Sequence, residues 1–173
     1  MKRLAIYPGS FDPFTVGHQN ILEKAEKMFD EVVVAIGVNP EKLSKENRVL
    51  ISLHGPDTIL KGVLESKIDV LREQLPSKRV EGYVGFLTEF IRAKQLQGGY
   101  DEVVVIRGLR NGHDYDYEYN QTRYMWDQFP GMNIVCLFCD PLYAHISSSA
   151  YRALEQVKPG SGHKYLAKED GED

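Results

Sequence analysis

Apolar positions along the chain alternate between two rhythms. A short run, Leu4-Ala5-Ile6-Tyr7, leads into a Pro/Gly-rich turn from Pro8 to Pro13 and then into the stretch Gln19 to Phe29. There Ile21, Leu22, Ala25, Met28 and Phe29 fall three and four apart, which stacks them on one face of a helix. Within Glu31 to Val38, Val32-Val33-Val34-Ala35-Ile36 runs without alternation, as expected of a strand covered on both faces. The first 38 residues therefore predict a βαβ unit.

The alternation continues downstream. Asp57 to Leu75 carries Leu60, Val63, Leu64, Ile68, Leu71 and Leu75 at helical spacing, Val80 to Val84 reads as a strand, and Phe86 to Leu96 repeats the helical period through Leu87, Phe90 and Ile91. Val103-Val104-Val105-Ile106 is another buried-type strand, Asp114 to Phe129 a tyrosine-rich helix, Ile134 to Cys139 a fifth strand and Ser149 to Val157 a last helix. Leu43 to Pro56 is expected to be a flexible connection, because Asn47, His54, Gly55 and Pro56 interrupt any period. Five strands separated by helices predict the α/β class: a Rossmann-like, doubly wound, parallel five-stranded sheet with helices on both faces. One domain is expected over residues 1–158, followed by a polar, Gly-containing tail, 159–173, that is loosely held. Ligands of such sheets bind beyond the carboxyl ends of the strands, so the loops after Tyr7, Val38, Val84, Ile106 and Cys139 are the ones to inspect.

Composition narrows the classes. With 42% hydrophobic, 10% aromatic and 27% charged residues in 173, the chain is an ordinary soluble globular protein. A net charge of −4 argues against a general grip on nucleic acid or acidic lipid. No apolar run approaches the roughly 20 residues of a membrane helix, and Met1-Lys2-Arg3 passes directly into the first strand, so a reducing cytoplasm is the expected location. Cys136 and Cys139 have Cys-x-x-Cys spacing but sit in an apolar run, and they are expected to be buried strand residues rather than a zinc or redox site. Neither the phosphate-loop nor the Gly-x-Gly-x-x-Gly pattern occurs.

Three elements on the expected ligand edge suit an anion. Pro8-Gly9-Ser10-Phe11-Asp12-Pro13-Phe14-Thr15-Val16-Gly17-His18 brings a hydroxyl and an imidazole to a helix start, where unpaired N–H groups and the positive dipole end attract phosphate. Arg107 and Arg110 follow the fourth strand, with guanidiniums suited to bidentate phosphate contact. Ile146-Ser147-Ser148-Ser149 opens the last helix, with Arg152 one turn inside. Taken singly, His18 is as well explained as a helix cap, the arginines as solvated, and the serines as caps. Together they favour a polyphosphate ligand.

These motifs resemble the signatures of the nucleotidyltransferase superfamily marked by His/Thr-x-Gly-His and Ile-Ser-Ser-Thr/Ser-x-x-Arg. Within it the chain is most similar to the bacterial phosphopantetheine adenylyltransferases, through Tyr7-Pro8-Gly9-Ser10-Phe11-Asp12-Pro13, Asn39-Pro40-x-Lys42 and Arg107-Gly108-Leu109-Arg110 followed by Asp114 to Glu118. The resemblance implies transfer of adenylate from ATP to the phosphate of 4′-phosphopantetheine, giving dephospho-coenzyme A and pyrophosphate without a covalent intermediate. It implies a catalytic set of His18, Ser10, Lys42 and Arg110, with His18 donating to the α-phosphate, Ser10 bridging the two phosphates and Lys42 neutralising the attacking one. ATP would be held by Ser10, Phe11, His18, Gly108, Leu109, Arg110, Glu118, Tyr143, Ala144, His145, Ile146, Ser147, Ser148 and Ser149. The acceptor would be held by Ser10, Lys42, Leu87 and Arg107. Mg2+ is implied on the phosphates, with no protein ligand assigned, and the family's hexamer implies a homo-oligomer.

The chain departs from that pattern in a long stretch over residues 43–79 and in Pro159-Gly160-Ser161-Gly162-His163. Two other readings stay open: an adenylyltransferase for another acceptor such as nicotinamide mononucleotide, and a non-catalytic nucleotide-binding protein on the same scaffold.

Overall fold

The computed structural model describes residues 1–38 and 43–167; Asn39, Pro40 and Lys42 lie outside them. Five strands, β1 (Arg3–Gly9), β2 (Glu31–Gly37), β3 (Arg79–Tyr83), β4 (Glu102–Leu109) and β5 (Asn133–Phe138), pair in parallel in the order β3-β2-β1-β4-β5. The helices are α1 (Val16–Glu26), α2 (Lys45–His54), α3 (Pro56–Gln74), α4 (Leu87–Gln97), α5 (Gly112–Gln128) and α6 (Ser148–Val157). The chain winds outward from β1 to β3 and then returns to β4 on the other side of β1. The expected doubly wound α/β sheet is therefore present, with its crevice between the carboxyl ends of β1 and β4.

Side chains alternate across the central strands and divide the core in two. Ala5, Tyr7, Val34, Ile36, Val104 and Ile106 face one layer with Ile21, Leu22 and Ala25 of α1 and Leu64 and Leu71 of α3. Leu4, Ile6, Val33, Ala35, Val103 and Val105 face the other with Ile91 of α4 and Met132. The long stretch before β3 is thus a cover on the sheet: Leu64, Ile68, Leu71 and Leu75 form a helical stripe packed against it.

Three sequence expectations are corrected. Leu43 to Pro56 is not a flexible connection but contains α2, capped by Ser44 Oγ accepting from the Asn47 N–H; the period breakers mark its junction with α3, where Gly55 has φ 83° and Pro56 is the first residue of the new helix. The segment from Pro159 to Ala167 is not loosely held. Gly160 and Gly162 donate their N–H groups to Glu155, the Ser161 hydroxyl donates to Leu154 O, and Leu166 forms an isolated antiparallel bridge with Thr15. Cys136 is exposed rather than buried, because β5 is an edge strand with a neighbour, β4, on one side alone; Cys139 is buried as expected.

Candidate active site

The loop between β1 and α1 folds around its aromatic residues. Phe11, at φ 42°, packs against the rings of Tyr7 and Phe14 with centroids 5.1 Å away and meets His18 edge-on at 5.2 Å. Gly9 lets this ring lie down, since a Cβ there would stand 2.7 Å from the Phe11 ring. Gly108 does the same for β4, where a Cβ would meet Ile21 at 2.9 Å. These close approaches bring β1, β4 and the first turn of α1 around one cavity of about 330 Å³.

His18 is both a cap residue and a cavity residue. Thr15 is the N-cap of α1 and accepts from the His18 N–H through Oγ at 3.4 Å, while the Thr15 N–H donates to His18 Nδ1 at 3.0 Å. The neutral ring's proton is thereby assigned to Nε2. Burial, and then the nearby Arg110 guanidinium, push the imidazole down to about 4. At neutral pH this side chain is an uncharged N–H donor on the cavity wall.

Arg110 is held by Asp114, one helical turn on, through Nε and Nη2 at 2.8 Å each. Its Nη1 reaches Ile146 O at 3.4 Å, so the fork that sequence alone assigns to phosphate is already committed to a carboxylate. What Arg110 brings to the cavity is charge and the other edge of its guanidinium. Across the wall, Arg107 Nε stands 3.2 Å from Glu118 Oε2 in a nearly buried pair, yet neither atom has an aligned hydrogen bond. Burial holds the Glu118 carboxyl above its ordinary value, with Arg107 opposing and Asp114 reinforcing the shift.

The first turn of α6 closes the third side. Ser147 is its N-cap, accepting from the Ala150 N–H at 3.1 Å, and the Ser148 hydroxyl donates to Pro13 O at 2.9 Å. Arg152 donates to Asp12 O and, at 3.2 Å, to Ser149 Oγ. With the hydroxyls of Ser147 and Ser148 so engaged, the free backbone N–H groups of the first turn are left for an anion.

A second cavity, of about 590 Å³, opens between the β3–α4 loop and α5. It shares Pro8, Gly9, Ser10, Arg107, Tyr117 and Glu118 with the first, and it is lined beyond them by Tyr83, Leu87 and Thr88 on one side and Gln121, Tyr124 and Met125 on the other. Ser10 and Arg107 stand where the two chambers meet.

Of the residues singled out for ATP, Ser10, Phe11, His18, Gly108, Arg110, Glu118, Ile146, Ser147, Ser148 and Ser149 line the first cavity. Leu109, Tyr143, Ala144 and His145 do not. Leu109 is 1% exposed in the core and uses its carbonyl to accept from the Cys139 N–H. Tyr143 accepts from the Ile146 N–H at the end of a 3-10 turn, with Ala144 next to it, and exposed His145 lies against Tyr165 on the far side of α6. Leu87 lines the second chamber, and Lys42 lies outside the described residues. Sequence reading quoted Thr15, Asp114 and Tyr117 within motifs and Cys139 as a strand residue, but gave none of them a part in the site. Asp114, Tyr117 and Glu118 follow Arg110 at helical spacing, a signal that one face of α5 lines the cavity.

Both cavity carboxylates, Asp114 and Glu118, are paired with arginines, and among the described residues no cluster of three His, Cys, Asp or Glu could hold a metal. No helix of the described chain is long and apolar enough to cross a membrane.

A parallel sheet carrying a neutral histidine, two arginines and two helix starts around one crevice defines a nucleotidyltransferase class, and the cytidylyltransferase-like family model matches residues 6–154. A phosphopantetheine adenylyltransferase of Acidovorax sp. (strain JS42) is 32% identical over 95% of this chain and 93% of its own length, and one of Syntrophomonas wolfei is 36% identical over 87% and 81%. The chain belongs to the phosphopantetheine adenylyltransferase family. Among solved structures, a bifunctional NMN adenylyltransferase/ADP ribose pyrophosphatase from Francisella tularensis, complexed with AMP and manganese, superposes with a TM-score of 0.55 at 17% identity, covering 98% of this chain and 46% of that one; this likeness concerns the fold.

Proposed function

We propose that the chain transfers the adenylyl group of ATP to the phosphate of 4′-phosphopantetheine, releasing pyrophosphate and dephospho-coenzyme A. The observation that carries this reading is the pair of chambers meeting at Ser10 and Arg107, one built for a polyphosphate and one for a longer, partly apolar acceptor. In-line attack of one phosphate on another needs alignment and charge stabilisation more than covalent help. His18 Nε2–H donates to the α-phosphate as charge builds there, and its depressed pKa keeps it a donor without the repulsion that a second cation beside Arg110 would add. The N–H groups opening α6 hold the remaining phosphate oxygens of ATP. Ser10 bridges the reacting phosphates, and Arg107 turns from Glu118 toward the acceptor's phosphate. Lys42 neutralises the attacking phosphate.

Mg2+ enters with ATP as part of the substrate, coordinated by phosphate oxygens and water, and neutralises triphosphate charge. The reaction belongs to the cytoplasm. Assembly into a homo-oligomer is supported by the exposed aromatic rings of Tyr115, Tyr119 and Trp126, which share one face of α5, and by exposed Phe138 on the edge strand β5.

Pyrophosphate release from MgATP, measured with 4′-phosphopantetheine, with nicotinamide mononucleotide and with neither, tests the reading. Release with the pantetheine compound alone supports it. Release with the mononucleotide alone, or ATP binding without turnover, overturns it.

A further inference from the structure

The loop that carries the site is held carbonyl by carbonyl from the far end of the chain. Asp12 O accepts from Arg152, Pro13 O from the Ser148 hydroxyl at 2.9 Å and Phe14 O from the Ala167 N–H at 3.2 Å. The next residue, Thr15, pairs with Leu166 as an antiparallel bridge. Thr15 is also the residue whose N–H and hydroxyl meet His18 Nδ1, at 3.0 and 3.1 Å. A path of direct contacts thus runs from Ala167 through Phe14 and Thr15 to the imidazole.

The segment is shaped for this. Gly160 and Gly162 donate to the two carboxylate oxygens of Glu155 at 2.8 and 2.7 Å, turning the chain back along α6, and a 3-10 turn at His163–Tyr165 delivers Leu166 in extended conformation. The Ala167 side chain then packs against the core layer that contains Phe14. Neither Leu166 nor Ala167 lines the nucleotide cavity.

We propose that the Leu166–Ala167 segment is a positioning strap for His18, fixing the Phe14–Thr15 backbone so that Nδ1 stays capped and Nε2–H stays aimed at the reacting phosphate. This rests on the adenylyl-transfer reading. Small displacements of a donor suffice to slow a reaction that depends on alignment.

Ala167→Pro removes the N–H that Phe14 O accepts, and Leu166 already has the extended backbone, φ −68° and ψ 147°, that a following proline requires. Ala167→Gly retains the donor. The strap predicts that Ala167→Pro lowers kcat about tenfold with KM for ATP within about twofold, while Ala167→Gly keeps most of kcat. It also predicts loss of the single capped-tautomer signature of His18 in 15N imidazole spectra of the proline variant, a readout independent of turnover. Glu155→Ala, which loosens the turn without touching the loop or core, should reproduce both effects and replaces Ala167→Pro should that variant not fold. Unchanged kcat and an unchanged imidazole spectrum in a folded strap variant, or equal losses in Ala167→Pro and Ala167→Gly, overturn the proposal. Absence of adenylyl transfer in the unsubstituted protein would overturn the reaction assignment, with the imidazole spectrum still reporting whether the strap holds His18.

Discussion

The Thr15 N–H donates to His18 Nδ1 at 3.0 Å, so the residue that starts α1 also decides which ring nitrogen keeps its proton. In 15N spectra His18 should show one neutral tautomer at pH 7, protonated at Nε2, and should titrate only toward about 4. A ring protonated at Nδ1, or an imidazolium at neutral pH, would contradict this geometry.

In the proposed reaction the same arrangement gives His18 the part of a donor whose value lies in the transition state. His18→Ala should lower kcat by about 10²–10³ and leave ATP affinity within about threefold, as steady-state kinetics and direct titration of the nucleotide would reveal. Comparable losses in rate and affinity would reduce His18 to a ground-state contact.

Proton linkage gives a stability test. Between its ordinary value of 6.5 and its folded value of about 4, His18 is protonated in the unfolded chain and neutral in the folded one. The unfolded state then binds more protons, so the stabilisation that the neutral ring contributes is complete above about pH 6.5 and declines as pH falls toward 4. Urea unfolding across this window should show a shallower pH slope for His18→Asn than for the unsubstituted protein.

Arg107 stands on the wall between the chambers with its Nε lacking an aligned hydrogen bond, despite a carboxylate at 3.2 Å. Arg107→Ala should raise the acceptor's KM by about 10- to 100-fold and that of ATP by less than about threefold. Arg107→Lys should rescue poorly, because a point charge does not replace a planar fork. Equal weakening of both substrates would move Arg107 to the nucleotide side.

Helix α3, before β3, is part of the core, and a loss of volume from it should be felt there. Leu71 is 1% exposed against the sheet, so Leu71→Ala should cost about 2–5 kcal/mol in denaturant unfolding. Val49, exposed on α2, should tolerate the same change within about 0.5 kcal/mol.

The strands and five of the six helices were legible because burial imposes period on sequence. Leu64, Ile68, Leu71 and Leu75 repeat helically since they share one sheet face. Helix α2 was not legible: none of its described side chains is buried, and the Gly55-Pro56 joint between two helices looks locally like a loop. Exposure of Cys136 depends on strand order, which its apolar neighbours do not encode. In the site, the loops and their anion chemistry could be read from residue type, but the pairing of Arg110 with Asp114 competes with the phosphate reading of the same guanidinium. The histidine capping box used an imidazole where Glu or Gln is the usual signal, and the contact between Phe14 and Ala167 spans almost the whole chain.

The chambers meet at a shared partition, and this bears on what happens after bond formation. In the proposed reaction, once the adenylyl group and the acceptor are joined and pyrophosphate has left with its own contacts, a single molecule occupies both compartments, while only one body's translational freedom is surrendered. Departure then requires both ends to let go together. The architecture that brings two anions into register thus leaves a conjugate held at both ends, and in the proposed reaction that conjugate has to be emptied from two compartments before the next turnover.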